Sequence, residues 1–444
     1  MSSLTPTCRA LLAAACLALG SVSPLAMADG GPSTSPTSGT STDAAMPGEL
    51  LVKLRSSAAL APLLAKYPLS LVSRFGARPI YRLKAIGGAR TDKLLAALLA
   101  EPVVMLAETN LSHRSPEARR NIAWAIGTPD AYTAQWAPQA MRLAEAHRLS
   151  TGAGVRIAVL DTGVDASHPL LAGRLLPGFD FVDDDNDPSE PAAPGGAGFG
   201  HGTHVAGLLA MAAPGARIMP LRVLDADGVG NAWVLADALL YAVDPDGNPA
   251  TDDGVDVISL SLGSLGRTRL FDAIVNIASC GGSISGDAVA DLSDPGYADD
   301  HARCAARRGV VVVVAAGNGG NSSEKQYPAA EGRSGLLAVA ASNAAGRLAG
   351  FSNYGSWIGL AAPGEGITSA QPGGGYATWS GTSMAAPLAA GTAALVRALN
   401  PDMKPDDVVK RLRQASAGLC GNSMRRLDAA AAVTNTVPPQ ALCP

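Results

Sequence analysis

The chain has 444 residues, 47% hydrophobic and only 16% charged, with 50 Gly and 31 Pro; this excludes a disordered chain or a coiled coil and fits a loop-rich globular protein of two or three structural units. Its 34 basic and 38 acidic side chains leave a formal charge of -4, which marks neither a nucleic-acid binder nor a cationic membrane-surface protein. The charge is unevenly spread: residues 29–120 hold 12 basic and 7 acidic side chains, and residues 121–444 hold 21 and 31. A basic N-terminal piece and an acidic remainder are therefore expected to attract each other.

The chain opens MSSLTPTCRALLAAACLALGSVSPLAMADG, with one cation (Arg9), an apolar run over 10–19, and the small residues Ala26 and Ala28 ahead of Asp29. This pattern predicts a cleavable bacterial-type secretory leader over 1–28, and hence a periplasmic or extracellular protein. The run is about half the ~20 residues a spanning helix needs, so no stable membrane span is expected. Residues 29–45 are rich in Gly, Pro, Ser and Thr and read as a flexible linker. From residue 46 the texture changes: GELLVKL reads as a strand, SSAALAPLLAKY as a helix, LSLVSRF and PIYRLKA as strands, TDKLLAALLAEP as a helix capped by Thr91, and VVMLAETN as a last strand. That order predicts a small α+β module over 46–111. The polar stretch SHRSPEARRN after it reads as an exposed linker over 112–120.

Beyond residue 121 strand-like runs (VRIAVLD, ARIMPLRVLD, VDVISLSL, VVVVVAA, LLAVAAS) alternate with helical segments to the C-terminus. Such alternation predicts an α/β fold with a doubly wound, mainly parallel sheet over 121–444. Loss of the leader removes Cys8 and Cys16 and leaves Cys280, Cys304, Cys420 and Cys443. Four cysteines in an exported chain suggest two disulfides. Spacing favours Cys280 with Cys304 and Cys420 with Cys443, among three permitted connectivities. The absence of a C-x-x-C pair argues against a metal at these thiols.

In an open parallel sheet, reactive groups belong at the carboxyl ends of strands. The run VRIAVL ends in Asp161 within DTGVD. GFGHGTHVAGLLA sets His201 and His204 on a Gly-rich approach to a helix, and with no third ligand nearby, His201 reads as a proton-transfer group and His204 as a structural histidine. WSGTSMAAPLAAG presents Ser383 where a turn becomes a small-residue helix, whose free N–H groups favour an oxyanion. GVVVVVAA runs into Gly317 and Asn318, an uncharged amide donor at another strand tip.

DTGVDASH, GHGTHVAG and GTSMAAP resemble the three signature segments of the subtilisin-like serine peptidases, and AAGN resembles the segment carrying their oxyanion-hole asparagine. The order Asp161, His201, Ser383 is the subtilisin order. The resemblance spans about 121–435 and implies a serine endopeptidase acting through an acyl-enzyme, with Ser383 as nucleophile, His201 as base and then acid, and Asp161 orienting the histidine. Asn318 would serve the oxyanion hole, and Ser261, Leu262 and Gly263 of SLSLG would pair with an extended substrate. The module at 46–111 resembles the family's propeptide in size and position, which implies a self-processing zymogen whose own propeptide is its intramolecular inhibitor. Protein or peptide substrates, no nucleic acid, a monomer and no cofactor required for catalysis complete the expectation. The other readings are a non-catalytic subtilase-like binding or scaffold domain, and an α/β-hydrolase esterase, for which the G-x-S-x-G elbow is missing.

Two departures from the family pattern matter. Leu170 stands where many members have a calcium-ligating aspartate, while FDFVDDDNDPSE offers Asp180, Asp183, Asp185 and Asp187 as oxygens suited to structural Ca²⁺ or as a solvated acidic loop. Gln326 precedes Tyr327 and Pro328 where glycine is common, which argues against a deep hydrophobic specificity pocket.

Overall fold

The period-two pattern that begins at Ala45 builds one antiparallel sheet. Strands Ala45–Leu54 (β1), Leu69–Arg74 (β2), Ile80–Ala85 (β3) and Val104–Arg114 (β4) alternate with helices Leu60–Lys66 (α1) and Thr91–Leu99 (α2). The computed structural model describes residues 43–117, 125–191, 196, 198–248, 250–281, 298–306, 309–440 and 443. The leader expected over 1–28 and all but the last three residues of the 29–45 linker lie outside them. Because strand side chains alternate between faces, Leu50 and Val52 pack with Leu83, Leu94 and Leu98 in a core of the module's own. Leu51, with Phe75 and Ile80, belongs instead to the core of the larger part of the molecule. The helix at 91 differs from expectation by one residue: Thr91 is already helical, and the flanking Arg90 makes no side-chain cap.

The larger part comprises Arg156–Asp161 (β5), Phe179–Asp180 (β6), His201–Ala212 (α3), Arg217–Arg222 (β7), Val229–Asn231 (β8), Ala232–Val243 (α4), Val257–Leu260 (β9) and Arg269–Ser279 (α5). Val311–Ala315 (β10), Leu336–Ser342 (β11), Leu360–Pro363 (β12), Thr382–Leu399 (α6), Pro405–Gln414 (α7), Ser416–Gly418 (β13) and Arg425–Leu427 (β14) follow. Its nine-stranded sheet has the order β13-β14-β12-β11-β10-β9-β5-β7-β6. Every pair is parallel except β13 with β14. Ile157, Val159, Val311 and Val313 face one core with α3 and α6, while Ala158, Leu160, Val312 and Val314 face another with α4 and α5. Burial on both faces is why these strands are continuous apolar runs.

The chain leaves β5 for β7 on one side and returns to β9 on the other. At such a switch the loops part and open a crevice beyond the strands' carboxyl ends. Cys280 is bonded to Cys304, and Cys420 to Cys443. Among the described residues, no helix is long and apolar enough to cross a membrane.

Candidate active site

Asp161 is the last residue of β5 and lies 1% exposed. Its Oδ1 accepts from the Thr162 N–H at 2.8 Å and lies 2.6 Å from His201 Nδ1. His201 opens α3, and the chain there comes so close to the β5 loop that a Cβ on Gly202 would fall 2.1 Å from the Gly163 carbonyl oxygen. A glycine at that step is what lets a helix start against the aspartate.

Ser383 is the second residue of α6, whose residues from Thr382 to Arg397 are all buried. Pro387 sits inside this helix and has no N–H for the Ser383 carbonyl, its partner one turn back. The Ser261 hydroxyl donates to that carbonyl at 3.0 Å, so the orphaned acceptor is satisfied from the end of β9 and the two segments are tied together. Asn318 follows β10. Its Oδ1 accepts from both the Thr382 N–H and the Thr382 hydroxyl at 2.9 Å, which turns Nδ2 toward the serine's side of the cleft.

The described part of the expected exposed linker, residues 112–117, is instead largely buried in this cleft, with Arg114 exposed. β4 runs to Arg114 and pairs with β8 through Ser112, His113 and Arg114. Arg114 and Gly263 exchange both backbone hydrogen bonds, at 3.2 and 3.1 Å, and the Ser115 N–H donates to the Gly228 carbonyl. The chain is thus clasped between two edges, as backbone pairing to either side permits for any extended peptide. Glu117, 5% exposed, ends the described run. Its Oε2 accepts from the Ser383 hydroxyl at 2.5 Å and lies 3.0 Å from His201 Nε2, while Oε1 accepts from Asn318 Nδ2 at 2.9 Å. A Cβ on Gly381 would fall 1.8 Å from that Oε1, so only glycine leaves room for the carboxylate.

His201 is therefore held between two carboxylates. Burial works to lower its pKa, but Asp161 and Glu117 more than reverse this and bring it to about 10. Burial works to raise Glu117, and the bonds from His201, Ser383 and Asn318 turn the net shift downward. The arrangement is an imidazolium between carboxylates, and an imidazolium cannot take a proton from serine. His204, buried and with its ring stacked on Trp379, is different: burial first and the nearby His201 second lower it to about 3, which keeps it neutral against the Ala377 carbonyl.

The remaining expected residues divide. Leu262 is fully buried in the core below the cleft, and Gly263 bears the ladder to Arg114. Gln326 is buried against Gly263 and Gly317, and its Oε1 has no hydrogen-bond partner. The acidic stretch does not fit a cation. Arg222 from β7 donates to Asp180 at 2.5 Å and to Asp183, so a guanidinium stands where an ion would neutralise them. The Asp185 and Asp187 carboxylates cap their own turns. Among the described residues the carboxylates that do converge are Asp244, Asp246 and Asp253, in an acidic surface loop. Glu117 and Glu190, which contact the site or its supports, carried no motif signal, and Thr382 stands within GTSMAAP with no role read for it.

The subtilase family pattern matches residues 152–436, well over half of the chain. The chain belongs to the subtilase family. This subtilase is 36% identical over 316 residues to the thermophilic serine proteinase of Bacillus sp. (strain AK1), covering 69% of this chain and 66% of that one. It is 37% identical over 273 residues to thermitase of Thermoactinomyces vulgaris, covering 59% and 81%. The extracellular protease of Xanthomonas campestris pv. campestris is 30% identical over 448 residues, covering 88% of this chain and 70% of that one. Fervidolysin from Fervidobacterium pennivorans, a keratinolytic enzyme related to subtilisin, superimposes with a TM-score of 0.66 over 89% of this chain and 62% of that one; at 23% identity this establishes the fold. The subtilase is accordingly a serine-type endopeptidase by class, with the doubly wound α/β architecture of its family.

Proposed function

We propose that the subtilase is an exported, self-processing zymogen whose catalytic triad is Asp161, His201 and Ser383, and that residues 46–117 are its inhibitory propeptide. The observation that carries this reading is the Glu117 carboxylate bonded to the Ser383 hydroxyl, His201 Nε2 and Asn318 Nδ2 together. A developing oxyanion needs donors of that kind around one point. With the cleft freed, Ser383 Oγ attacks the peptide carbonyl carbon while His201 Nε2 takes its proton; that proton passes to the leaving amine as the C–N bond breaks. Water then repeats the cycle on the acyl-enzyme. Asp161 holds the Nδ1–H throughout, and Asn318 Nδ2 with the Ser383 N–H receives the oxyanion. The substrate backbone pairs with Gly263 and with β8 as Arg114 does.

The propeptide reading rests on packing as well. Phe75 stacks on Trp233 with ring centroids 3.7 Å apart, and Glu108 accepts the N–H groups of Arg269 and Leu270 at the start of α5. Arg78 pairs with Asp300, in the sense expected from the charge split, yet Asp43, Glu108 and Glu117 use negative groups against backbone N–H groups or His201. Docking is thus governed by local donors as much as by net charge. Because the chain up to Glu117 is held in the cleft, by ladders and then by its carboxylate, we place self-cleavage at a bond between Glu117 and Asn121. Export is supported by the leader pattern, by the two disulfides, and by alignment over 88% of this chain with an extracellular protease.

The test is covalent. A fluorophosphonate probe should label the matured protein once per chain, at Ser383, and peptide cleavage should fall in proportion to labelling. A pure, processed protein that cleaves peptides without labelling overturns the triad assignment. Asn318→Ala should lower kcat by ~10²- to 10³-fold with little change in KM, a magnitude taken from the equivalent loss in subtilisin, a relative of this chain. An unchanged kcat in steady-state assays would remove Asn318 from the oxyanion hole.

A further inference from the structure

Glu190 closes the acidic stretch, eleven residues before α3 begins at His201, and none of the family segments contains it. Its carboxylate accepts four hydrogen bonds. Oε1 takes the Thr162 hydroxyl at 2.7 Å and the Gly200 N–H at 3.1 Å; Oε2 takes the Thr203 hydroxyl at 2.9 Å and the Thr203 N–H at 3.2 Å. Thr162 is the residue after Asp161, and Gly200 and Thr203 flank His201. The Thr162 hydroxyl in turn accepts the Gly202 N–H at 3.0 Å, and the Thr203 hydroxyl accepts the Asp165 N–H at 2.9 Å. One side chain therefore ties the tip of β5 to the first turn of α3, from both sides of the 2.6 Å contact between Asp161 and His201.

The surrounding backbone is built for this strap. The Val164 N–H donates to the Pro188 carbonyl at 3.0 Å, and a Cβ on Gly163 would fall 2.5 Å from the Ser189 carbonyl oxygen. Gly200 flanks the helix and makes no side-chain cap; of the first N–H groups, that of Thr203 goes to Glu190, that of Gly202 to the Thr162 hydroxyl that Glu190 holds, and that of His201 to the Gly198 carbonyl. The donor count also selects the residue type. Four donors on two oxygens suit a carboxylate, whereas an amide at the same position would turn its NH₂ toward two of them.

We infer that Glu190 is a positioning residue, which sets the Asp161–His201 geometry by clamping the β5 loop to the start of α3. The inference rests on the triad reading above. A displacement of about 1 Å between reacting groups can cost on the order of 10²-fold in rate, so a clamp on both partners has leverage over catalysis that an ordinary helix cap lacks.

The experiment uses the processed enzyme, with every rate divided by the number of sites titrated by a fluorophosphonate. Glu190→Gln should lower kcat per titrated site by ~10- to 100-fold with KM within about twofold, and should slow probe labelling in parallel. Thr162→Val should give a smaller fall of the same kind. The double variant should lose little more than Glu190→Gln alone, because both changes open one linkage. If kcat per site in Glu190→Gln stays within twofold of wild type, or if the two losses multiply, the inference fails. Should Glu190→Gln give no titratable protein, Thr162→Val decides: unchanged kcat per site overturns the role. Failure of the underlying triad reading is visible separately, as a wild-type enzyme that the probe does not label.

Discussion

Ser383→Ala, produced without other proteases, is expected to accumulate as the uncut precursor lacking only its leader. In the proposed mechanism the bond that releases the propeptide is broken by Ser383 Oγ, which meets His201 Nε2 at the same Glu117 oxygen. Peptide hydrolysis should fall on the order of 10⁶-fold, a figure taken from removal of the same serine in subtilisin, a relative, rather than from the geometry described above. N-terminal sequencing and intact-mass measurement of the product decide the matter. Maturation of this variant at the wild-type rate would mean that another protease, and not this chain, makes the cut.

Glu117→Ala should have the opposite phenotype. The carboxylate is buried, charge-assisted and shared by three partners, and truncating one member of a buried hydrogen-bonded charge pair typically costs about 2–5 kcal/mol. Inhibition by the uncleaved or newly cleaved N-terminal segment should weaken by about 30-fold or more, and the precursor should disappear faster on a gel. Glu117→Gln keeps the shape and removes the charge, so it isolates the electrostatic part.

The same contact carries a pH signature whose sign follows from the two shifts. Glu117 lies below its ordinary 4.5, so its contribution is present above pH 4.5 and is lost as pH falls through its lowered value. His201 lies above its ordinary 6.5, so its contribution is complete below pH 6.5 and is lost as pH rises through about 10. The latch is therefore strongest between about pH 4.5 and 6.5. Wild-type precursor should mature faster with each step up toward pH 10, whereas in Glu117→Gln the rise should level off at lower pH, where a histidine paired with Asp161 alone has already lost its proton. Superimposable pH profiles for the two precursors would show that Glu117 does not hold His201 protonated.

Physically, the segment Ser112 to Glu117 combines a substrate's backbone with a group that no substrate brings to that point. Its ladders to Gly263 and β8 are those available to any extended peptide. In the proposed mechanism its carboxylate occupies the donors of the transient oxyanion and supplies a permanent one. Binding is thereby separated from reaction: the segment docks well, yet the histidine it meets is already protonated.

Much of this was legible in the residues. Asp161, His201, Ser383 and Asn318 each sit at a strand tip or a helix start, positions marked by apolar runs ending in glycine and a polar side chain, and all four come together. The small module was readable for the same reason, since strand and helix periodicities are local. The misreadings were of another kind. The stretch from Ser112 has the composition of a linker, and only the pairing with Gly263 and β8 draws its described residues, 112–117, into the cleft. The acidic stretch 179–190 left a calcium loop and a solvated loop open, and only β7 brings Arg222 to Asp180 and Asp183.

The family segments, the order of the elements and the leader pattern are readable along the chain, because each depends on residues within a few positions of one another. The tertiary structure alone decided what fills and supports the cleft. Glu117 reaches Ser383 across 266 residues, His201 across 84 and Asn318 across 201. Glu190 joins the Asp161 loop to α3 only because β5 ends where that helix begins. A lone glutamate carries no periodicity and no motif; its partner and its protonation state are set by the groups that folding brings around it.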